Sequence, residues 1–317
     1  MTNKELEIMN YIKDNYSNLE PTIPIVIPSY KNREGTIIRH LEDLGNSEIY
    51  IFVYEDDYTK SGYNDYDNKP NVHFIKINSE WRSIQRKRYF IQEYFKNKSD
   101  IHDYIMIDDD ILDGKMWTID GQRLIHQPIK NLLGAMCYAY LQHDNRTYAG
   151  PESCEIAWGH WNSTPIKKYT TNHSFFQVFF VSNDYIRNGG IRFRDLESFG
   201  EDCILHFDLE ENNQSRICFP WIKFSFYKDS DKKYSIASNE LEGAKVVINT
   251  IRIMGDKAIL KRSSKSKKFP LFTRYKKGKT INPYWNEVEP ILNDDSKSYI
   301  EMRNEILKIV DKYNKVK

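Results

Sequence analysis

The sequence lacks the glycine-rich motifs of two common nucleotide-binding folds. No GxGxxG follows the first predicted strand, and no GxxxxGK[ST] occurs anywhere in the 317 residues. These loops bind phosphates through backbone amides, which need the close approach that glycine permits. Their absence weighs against a dinucleotide-dependent oxidoreductase and against a P-loop enzyme.

Cysteine and long apolar runs are also scarce. The four cysteines form no CxxC pair: they are Cys137, Cys154, Cys203 and Cys218. Such spacing predicts neither a zinc site nor a disulfide framework, and we expect reduced thiols in a cytoplasmic protein. No apolar run is long enough to cross a bilayer, and no apolar signal region opens the chain. The net charge of +1 excludes a global field that would steer the chain to nucleic acid.

Apolar patterns along the first third of the chain predict an α/β fold. Apolar segments over 23–27, 49–54, 72–77 and 104–107 are typical of buried strands. Segments with helical spacing lie over 6–16, 37–44 and 84–95. This order favours a mainly parallel sheet with right-handed crossovers. Further strands are predicted over 175–181, with Gln177 interrupting the apolar run, and over 219–226.

Polar residues follow three of these strands. They are Ser29 and Tyr30, then Glu55 and Asp56, then Asp108, Asp109 and Asp110. Parallel strands bring their carboxyl ends to one edge, where open α/β sheets bind nucleotides. Three adjacent carboxylates need a cation or water to relieve their repulsion, and Mg²⁺ or Mn²⁺ shared with substrate phosphates would do so. The alternative is a solvated acidic turn.

Several basic residues lie near the start of the helix before the Asp108 strand. A helix N-terminus combined with arginine binds diphosphates well. We predict that Arg82 and Arg86, one turn apart, face the diphosphate. Gln85 and Arg88 are expected to be solvated.

Three segments resemble GT-A glycosyltransferases. Residues 23–33 look like the opening strand and loop of that superfamily, and 107–110 look like its DxD motif. Gly200-Glu201-Asp202 resembles the acidic pair that opens its acceptor-side helix. Order and spacing agree from about Ile23 to about Asp208. Within the superfamily, the Phe-rich segment 175–180 and a basic tail are most similar to phage DNA-base glycosyltransferases, including those that act on 5-hydroxymethylcytosine.

The resemblance implies a fold and a division of the chain. It implies a GT-A (Rossmann-like), mainly parallel mixed sheet with flanking helices, plus a basic helical C-terminal extension. Residues 1–113 would be the nucleotide-sugar-binding half with its N-terminal helix. Residues 114–245 would be the acceptor-binding and catalytic half, and 246–317 the DNA-contacting extension. A phage enzyme of this kind would act in the cytoplasm of the infected host cell.

The resemblance also implies a donor site for a nucleotide sugar, expected to be a UDP-sugar. Asp110 and Asp108 would hold Mn²⁺ or Mg²⁺, with Asp108 also touching ribose or sugar and Asp109 pointing away. The base and ribose would rest on the loop and strand-end residues Ser29, Tyr30, Arg33, Glu55 and Asp56. For Glu55 and Asp56 an ordinary acidic turn is the alternative.

On the acceptor side, Asp202 is the candidate general base, and Glu201 would bind the acceptor or support Asp202. If transfer retains configuration, Asp202 would position groups instead. Acids favoured by the helix dipole are the structural alternative. The sequence departs from the family because no histidine follows His206, which we interpret as structural. Asp229 or Asp231 could replace that late metal ligand, or the diphosphate and water could complete the coordination of the metal.

A polar-aromatic cluster is the candidate acceptor surface. Its members are Trp158, His160, Trp161 and His173, joined by Gln177. Aromatic rings stack on bases or sugars, although a loop anchored by aromatic packing explains the cluster equally well. Gln177 is more informative because a buried amide requires partners.

The chain from 257 to 279 is rich in cations and contains no acidic residue. The predicted DNA-phosphate contacts are Lys261, Arg262, Lys265, Lys267, Lys268, Arg274, Lys276 and Lys277. This pattern suits double-stranded DNA carrying a modified cytosine, whose target base would have to be flipped out of the helix. A solvated loop or a contact with an anionic membrane is the alternative. We expect no membrane segment, and no protein partner is evident.

Two other functions stay open at this point. One is a GT-A transferase of cell-surface polysaccharide synthesis whose basic tail rests on a membrane. The other is a non-catalytic nucleic-acid-binding protein on a GT-A scaffold, against which Asp108, Asp110 and Asp202 argue.

Overall fold

The computed structural model describes residues 2–29, 37–58, 63, 69–79, 83–117, 124–151, 170–171, 177–196, 200–226, 240–262, 270–275 and 282–314. The chain divides into two compact units. The first comprises residues 1–82, 86–192 and 213–228, and the second comprises 83–85, 193–212 and 229–317.

The first unit is built on an eight-stranded mixed sheet. Its strands in chain order are β1 (Ile25–Pro28), β2 (Ile49–Tyr54), β3 (Val72–Ile77), β4 (Asp103–Ile107), β7 (Tyr148–Pro151), β8 (Thr170–Thr171), β9 (Val178–Ser182) and β10 (Arg216–Phe219). The order across the sheet is β3-β2-β1-β4-β9-β7-β10-β8. The first four are mutually parallel, and β9 runs antiparallel between β4 and β7.

A second, three-stranded antiparallel sheet in this unit consists of β5 (Ile111–Trp117), β6 (Leu124–Gln127) and β11 (Ile222–Phe226). Its central strand β5 begins directly after the Asp108–Asp110 triplet. The single strand predicted over 219–226 is wrong, because the segment forms the end of β10 and the separate strand β11. Pro220 and Trp221 make the turn between them, since proline cannot donate to a strand ladder.

The helices of the first unit are α1 (Asn3–Asn15), α2 (Glu55–Tyr58), α4 (Ile129–Leu141) and α5 (Asn183–Arg187). The helix α3 (Ile84–Lys96) lies mostly in this unit, and 37–44 form a 3₁₀ helix. A capping box at Thr2 begins α1, as the Thr-x-x-Glu pattern favours.

The core of the first unit lies between the sheet and its helices. Ile25, Ile105 and Leu133 have no exposed surface, and each such side chain stabilises the fold by roughly 1.5–3 kcal/mol. At Gly134 of α4 the backbone of Leu19 passes so close that a Cβ would lie 2.5 Å from the Leu19 carbonyl carbon. Glycine is therefore required there for the approach of the two segments.

The second unit is mainly helical. It contains α6 (Glu201–Glu211), α7 (Glu240–Met254), α8 (Trp285–Leu292) and α9 (Tyr299–Asn314), with a hairpin of β12 (Ile259–Arg262) and β13 (Leu271–Arg274). Ile248, Ile251 and Ile306 form the centre of a separate apolar core.

The predicted fold class is confirmed: a mixed α/β sheet whose neighbouring strands β3, β2, β1 and β4 are parallel, flanked by helices. The C-terminal region is helical as expected, and the β12–β13 hairpin is an addition that was not predicted. The finer division at residues 113 and 245 stays a prediction.

Candidate functional site

The carboxyl ends of β1, β2 and β4 meet at one edge of the large sheet, because these strands are parallel neighbours. Ser29, Glu55 and Asp108 are the first residues beyond them. The amino end of β9 lies at the same edge, since Val178 pairs with Ile107 across antiparallel strands. Sequence reasoning predicted this convergence of polar residues.

Asp109 is buried and points into the protein, as expected from strand alternation. The Ser29 hydroxyl donates to its Oδ2 across 3.2 Å, and the Ser29 and Tyr63 hydroxyl oxygens lie 2.6 Å apart. Because serine carries one hydroxyl proton, the tyrosine donates in the second hydrogen bond. Ser29 therefore links β1 to the acidic triplet in this structure. Its predicted contact with a base or ribose stays a prediction.

Lys87 is a buried cation at this edge, on α3. Its Nζ donates to the carbonyl oxygen of Ser29 and lies 3.9 Å from the centre of the Tyr54 ring. A buried ammonium group needs such polar and aromatic partners to offset lost hydration. The carboxyl ends of β1 and β2 are thus joined through one lysine side chain.

Gln85 is fully buried, so the expectation that it is solvated is wrong. The same expectation is wrong for Arg88, which is also buried. Its side chain is 3% exposed, and its guanidinium donates to Oδ1 of Asp108 across 2.5 Å. The guanidinium carbon lies 4.7 Å from the centre of the Phe179 ring on β9. Arg86, which was predicted to bind diphosphate, is half-buried on the same helix.

Gln177 lies beside Asp108 and adopts a left-handed backbone with φ of 67°. Its carbonyl oxygen accepts from the backbone N–H of Asp108 across 2.8 Å. Gln177 precedes β9 and so does not interrupt a strand, contrary to the prediction. A left-handed non-glycine residue costs about 1–2 kcal/mol, and such strain is often found at functional sites.

Asp56 is also engaged within the protein. The Ser79 hydroxyl donates to Oδ1 of Asp56, and the Asp56 backbone N–H points to the Ser79 hydroxyl oxygen. This pair links the start of α2 to Ser79, which follows the end of β3. Glu55, the first residue of α2, is exposed. The acidic turn, which was the alternative interpretation of these residues, is a short helix. Their contact with a base or ribose stays a prediction.

Within the described residues, no three His, Cys, Asp or Glu side chains gather as a metal-binding group. Asp108 and Asp110 are both half-buried. They offer carboxylate oxygens, the ligand type that Mg²⁺ and Mn²⁺ prefer. This donor set fits a cation that completes its coordination with phosphate oxygens and water, as Mg²⁺ commonly does.

In the second unit, Gly200 opens α6 with φ of 88°, and the next two residues are Glu201 and Asp202. Glu201 is buried, whereas Asp202 is half-buried and accepts at Oδ1 from the backbone N–H of Cys203 across 2.7 Å. A Cβ at position 200 would lie 3.2 Å from Cγ1 of Val246 on α7. Glycine therefore allows both the turn and the packing of α6.

The far end of α6 is fixed by an ion pair. Arg194 donates to both oxygens of Asp208 at 2.8 and 2.6 Å. The hydrogen bonds to Asp208 raise the pKa of Arg194 above its usual value, although partial burial opposes them. His206, on the same helix, is buried, in agreement with a structural role.

Of the cation-rich segment 257–279, the structure describes residues 257–262 and 270–275. Lys261 and Arg262 are exposed on β12, and Arg262 forms an ion pair with Asp311 on α9. Arg274 lies on β13. None of the described helices has the length and apolar content needed to cross a bilayer.

Many predicted site residues lie outside the described residues. They are Tyr30, Arg33, Arg82, Trp158, His160, Trp161, His173, Asp229, Asp231, Lys265, Lys267, Lys268, Lys276 and Lys277. Conversely, sequence reasoning missed Tyr63, Lys87 and Phe179 at the sheet edge. The only sequence feature that could have indicated these buried cations is the adjacent pair Lys87 and Arg88 in an otherwise amphipathic helix.

Comparisons with known proteins give distant structural likenesses. No protein-family model matches the chain, and no curated protein matches its sequence significantly. The crystal structure of S. aureus TarS 1–349 is 11% identical over 72% of this chain and 65% of that one, with a TM-score of 0.42. GalNAc-T7 with UDP, GalNAc and Mn²⁺ is 11% identical over 94% of this chain and 55% of that one, with a TM-score of 0.47.

A third solved structure is a glycosyltransferase involved in glycosylation of the major capsid of PBCV-1. It is 16% identical over 60% of this chain and 67% of that one, with a TM-score of 0.25. The chain therefore spans about two thirds of the TarS fragment and about half of GalNAc-T7. These likenesses are too distant to assign an activity to the chain.

Proposed function

We propose that the chain is a metal-dependent glycosyltransferase that uses a nucleotide sugar, with a UDP-sugar as the favoured donor. The observation that carries this proposal is the sheet edge where Ser29, Asp108 and Asp109 meet around the buried cations Lys87 and Arg88. Carboxyl ends of parallel strands are the usual place for a nucleotide in an open α/β sheet.

The residues at this edge have distinct roles in the proposal. Asp110 and Asp108 hold Mn²⁺ or Mg²⁺, which when bound stabilises the diphosphate leaving group as a Lewis acid. Asp108 also accepts from a hydroxyl of the ribose or the donor sugar. Ser29, Tyr30, Arg33, Glu55 and Asp56 surround the base and ribose, and Arg82 and Arg86 bind the diphosphate.

On α6, Asp202 is proposed to take the proton of the acceptor hydroxyl during attack on the sugar carbon. Asp202 is half-buried, and the hydrogen bond from the Cys203 N–H orients its carboxylate at Oδ1. Glu201 supports it from the interior. Trp158, His160, Trp161, His173 and Gln177 are the proposed acceptor surface.

The favoured acceptor is a hydroxymethylated base, 5-hydroxymethylcytosine, in phage double-stranded DNA. This choice is supported by the acid-free cationic run from 257 to 279, of which Lys261 and Arg262 are exposed. Phosphate contacts would position the duplex without reading its sequence. A transferase for cell-surface polysaccharide uses the same donor chemistry and is the competing outcome.

The donor half of the proposal is tested by nucleotide-sugar hydrolysis. We expect turnover of a UDP-sugar that requires Mn²⁺ or Mg²⁺ and is lost in Asp110→Ala. A chain that binds nucleic acid but hydrolyses no nucleotide sugar with either metal would be a non-catalytic binding protein.

The acceptor half is tested by mass spectrometry of digested DNA. Hydroxymethylated duplex and an unmodified duplex of the same sequence are incubated with the chain and a panel of sugar nucleotides. We expect a mass gain of one sugar on the modified base only. No gain with any donor, while hydrolysis persists, would reject the DNA acceptor and favour polysaccharide.

A further inference from the structure

We propose that Arg88 is a positioning residue that orients Asp108 toward the nucleotide-sugar donor. This inference rests on the proposed function, because it assigns a task to a residue of the same donor site. The geometry that carries it is a half-buried carboxylate that a buried guanidinium holds on one oxygen, with no donor among the described residues on the other.

Two contacts and the place of Asp108 in the chain hold it in position. Arg88 donates to Oδ1 across 2.5 Å, and the Gln177 carbonyl accepts from its backbone N–H across 2.8 Å. Asp108 also follows directly on the last residue of β4, which pairs with Val178. Both the main chain and the side chain of Asp108 are therefore held in place.

Arg88 is itself held by the core. Its guanidinium lies over the ring of Phe179, which is fully buried on β9 opposite Met106. A cation over the face of an aromatic ring is attracted by the negative potential of that face. Phe179 thus helps to hold the Arg88 guanidinium beside Asp108.

The two partners differ in exposure. The Arg88 side chain is 3% exposed, whereas that of Asp108 is 20% exposed. No described residue donates to Oδ2 of Asp108, while Oδ1 accepts from Arg88. The arginine therefore occupies one oxygen from inside the protein and leaves the other for a ligand at the sheet edge.

A second ion pair lies at the opposite end of β4, and there both carboxylate oxygens have partners within the protein. Asp103 accepts from Tyr140 and from Nε of Arg146 at Oδ1, and from a terminal nitrogen of Arg146 at Oδ2. Its side chain is 4% exposed. Both oxygens of Asp103 are used within the fold, which is what a purely structural carboxylate requires.

The test is a double-mutant cycle on UDP affinity, measured by calorimetry at saturating Mn²⁺. The variants are Arg88→Met, Asp108→Asn and their combination, and the thermal midpoint of each is recorded. We expect each single change to weaken UDP binding about tenfold or more, as for loss of a charged hydrogen bond. The combination should be no weaker than Asp108→Asn, because Arg88 acts through Asp108.

Two further variants separate positioning from general stabilisation. Arg88→Lys keeps the charge but loses the planar fork, so it should recover part of the affinity lost in Arg88→Met. Arg146→Met is the matched control: it breaks the Asp103 ion pair on the same strand. It should lower the thermal midpoint and leave the UDP affinity of the folded chain unchanged.

Two outcomes would overturn the role of Arg88 and leave the proposed function standing. One is an additive cycle, and the other is an Arg88→Met variant that loses thermal stability like Arg146→Met but binds UDP like the wild type. If the wild-type chain binds none of UDP, GDP, CDP and dTDP with either Mn²⁺ or Mg²⁺, the proposed function fails and this inference fails with it.

Discussion

The Ser29 hydroxyl donates to Oδ2 of Asp109 across 3.2 Å, and so ties the end of β1 to the acidic triplet after β4. Ser29→Ala should leave the buried carboxylate short of a hydrogen bond. We expect the free energy of unfolding, measured in urea, to fall by about 1–3 kcal/mol.

Ser47→Ala is the matched control for this change. The Ser47 hydroxyl donates to the carbonyl oxygen of Pro21 at a half-buried position in the same unit, and no carboxylate depends on it. Its loss should cost about 1 kcal/mol or less. A Ser29 variant no less stable than the Ser47 variant would contradict the role of Ser29 as a link.

Asp110→Asn should abolish the effect of Mn²⁺ on UDP affinity, because an amide is a poorer ligand for a hard cation than a carboxylate. The measurement is UDP titration across a series of Mn²⁺ concentrations. Asp113→Asn changes the same group three residues later on β5, where the carboxylate pairs with exposed His126. The Asp113 variant should keep the Mn²⁺ dependence, and equal behaviour of the two variants would reject Asp110 as the ligand.

Asp202→Asn should lower kcat for sugar transfer by about 10²–10⁴-fold, the usual contribution of a general base. UDP affinity and the thermal midpoint should stay at wild-type values, because an asparagine oxygen can still accept from the N–H of Cys203. Glu210→Gln, near the other end of α6, is the control and should retain wild-type kcat. An Asp202 variant that keeps more than about half of kcat would exclude the base role.

His143 should make stability depend on pH in the mildly acidic range. Burial, aided by the charge of Lys4, lowers the pKa of His143 below its usual value of 6.5. Between the folded and unfolded pKa values the unfolded chain binds more protons, so stability rises with pH. The contribution is present above the unfolded pKa and is lost as pH falls through the folded pKa.

We therefore expect the wild-type free energy of unfolding to decrease from about pH 7.5 to about pH 5.5. His143→Gln should show a smaller decrease over the same range. Urea unfolding at several pH values measures both, and equal slopes for the two chains would show that other groups dominate.

The sequence predicted the strands that position the site more reliably than the side chains that fill it. The bounds of β2 and β3 were predicted to the residue: β2 is a continuous apolar run, and β3 is rich in apolar residues although it contains His73 and Lys76. The parallel pairing of β1 with β4 then brings Ser29 and Asp108 to the same edge of the sheet.

The errors share a physical cause. The spacing of residues along a helix or strand does not show which other elements pack against each of its faces. Arg88 was expected in solvent because a surface helix normally buries one stripe. The structure buries Lys87 as well as Arg88, against Tyr54 and Phe179 on different strands. Likewise, Gln177 combines a left-handed backbone with a hydrogen bond from the Asp108 N–H, a distant contact that local sequence does not encode.

Successive residues of an α-helix are rotated by about 100° around its axis. Lys87 reaches the carbonyl of Ser29, and Arg88 reaches the carboxylate of Asp108, from neighbouring positions on α3. Deleting one residue earlier in α3 would turn both cations away from their strands at once. A change of length within residues 84–86 should therefore be tolerated far less well than a change of length in the loop beyond Lys96.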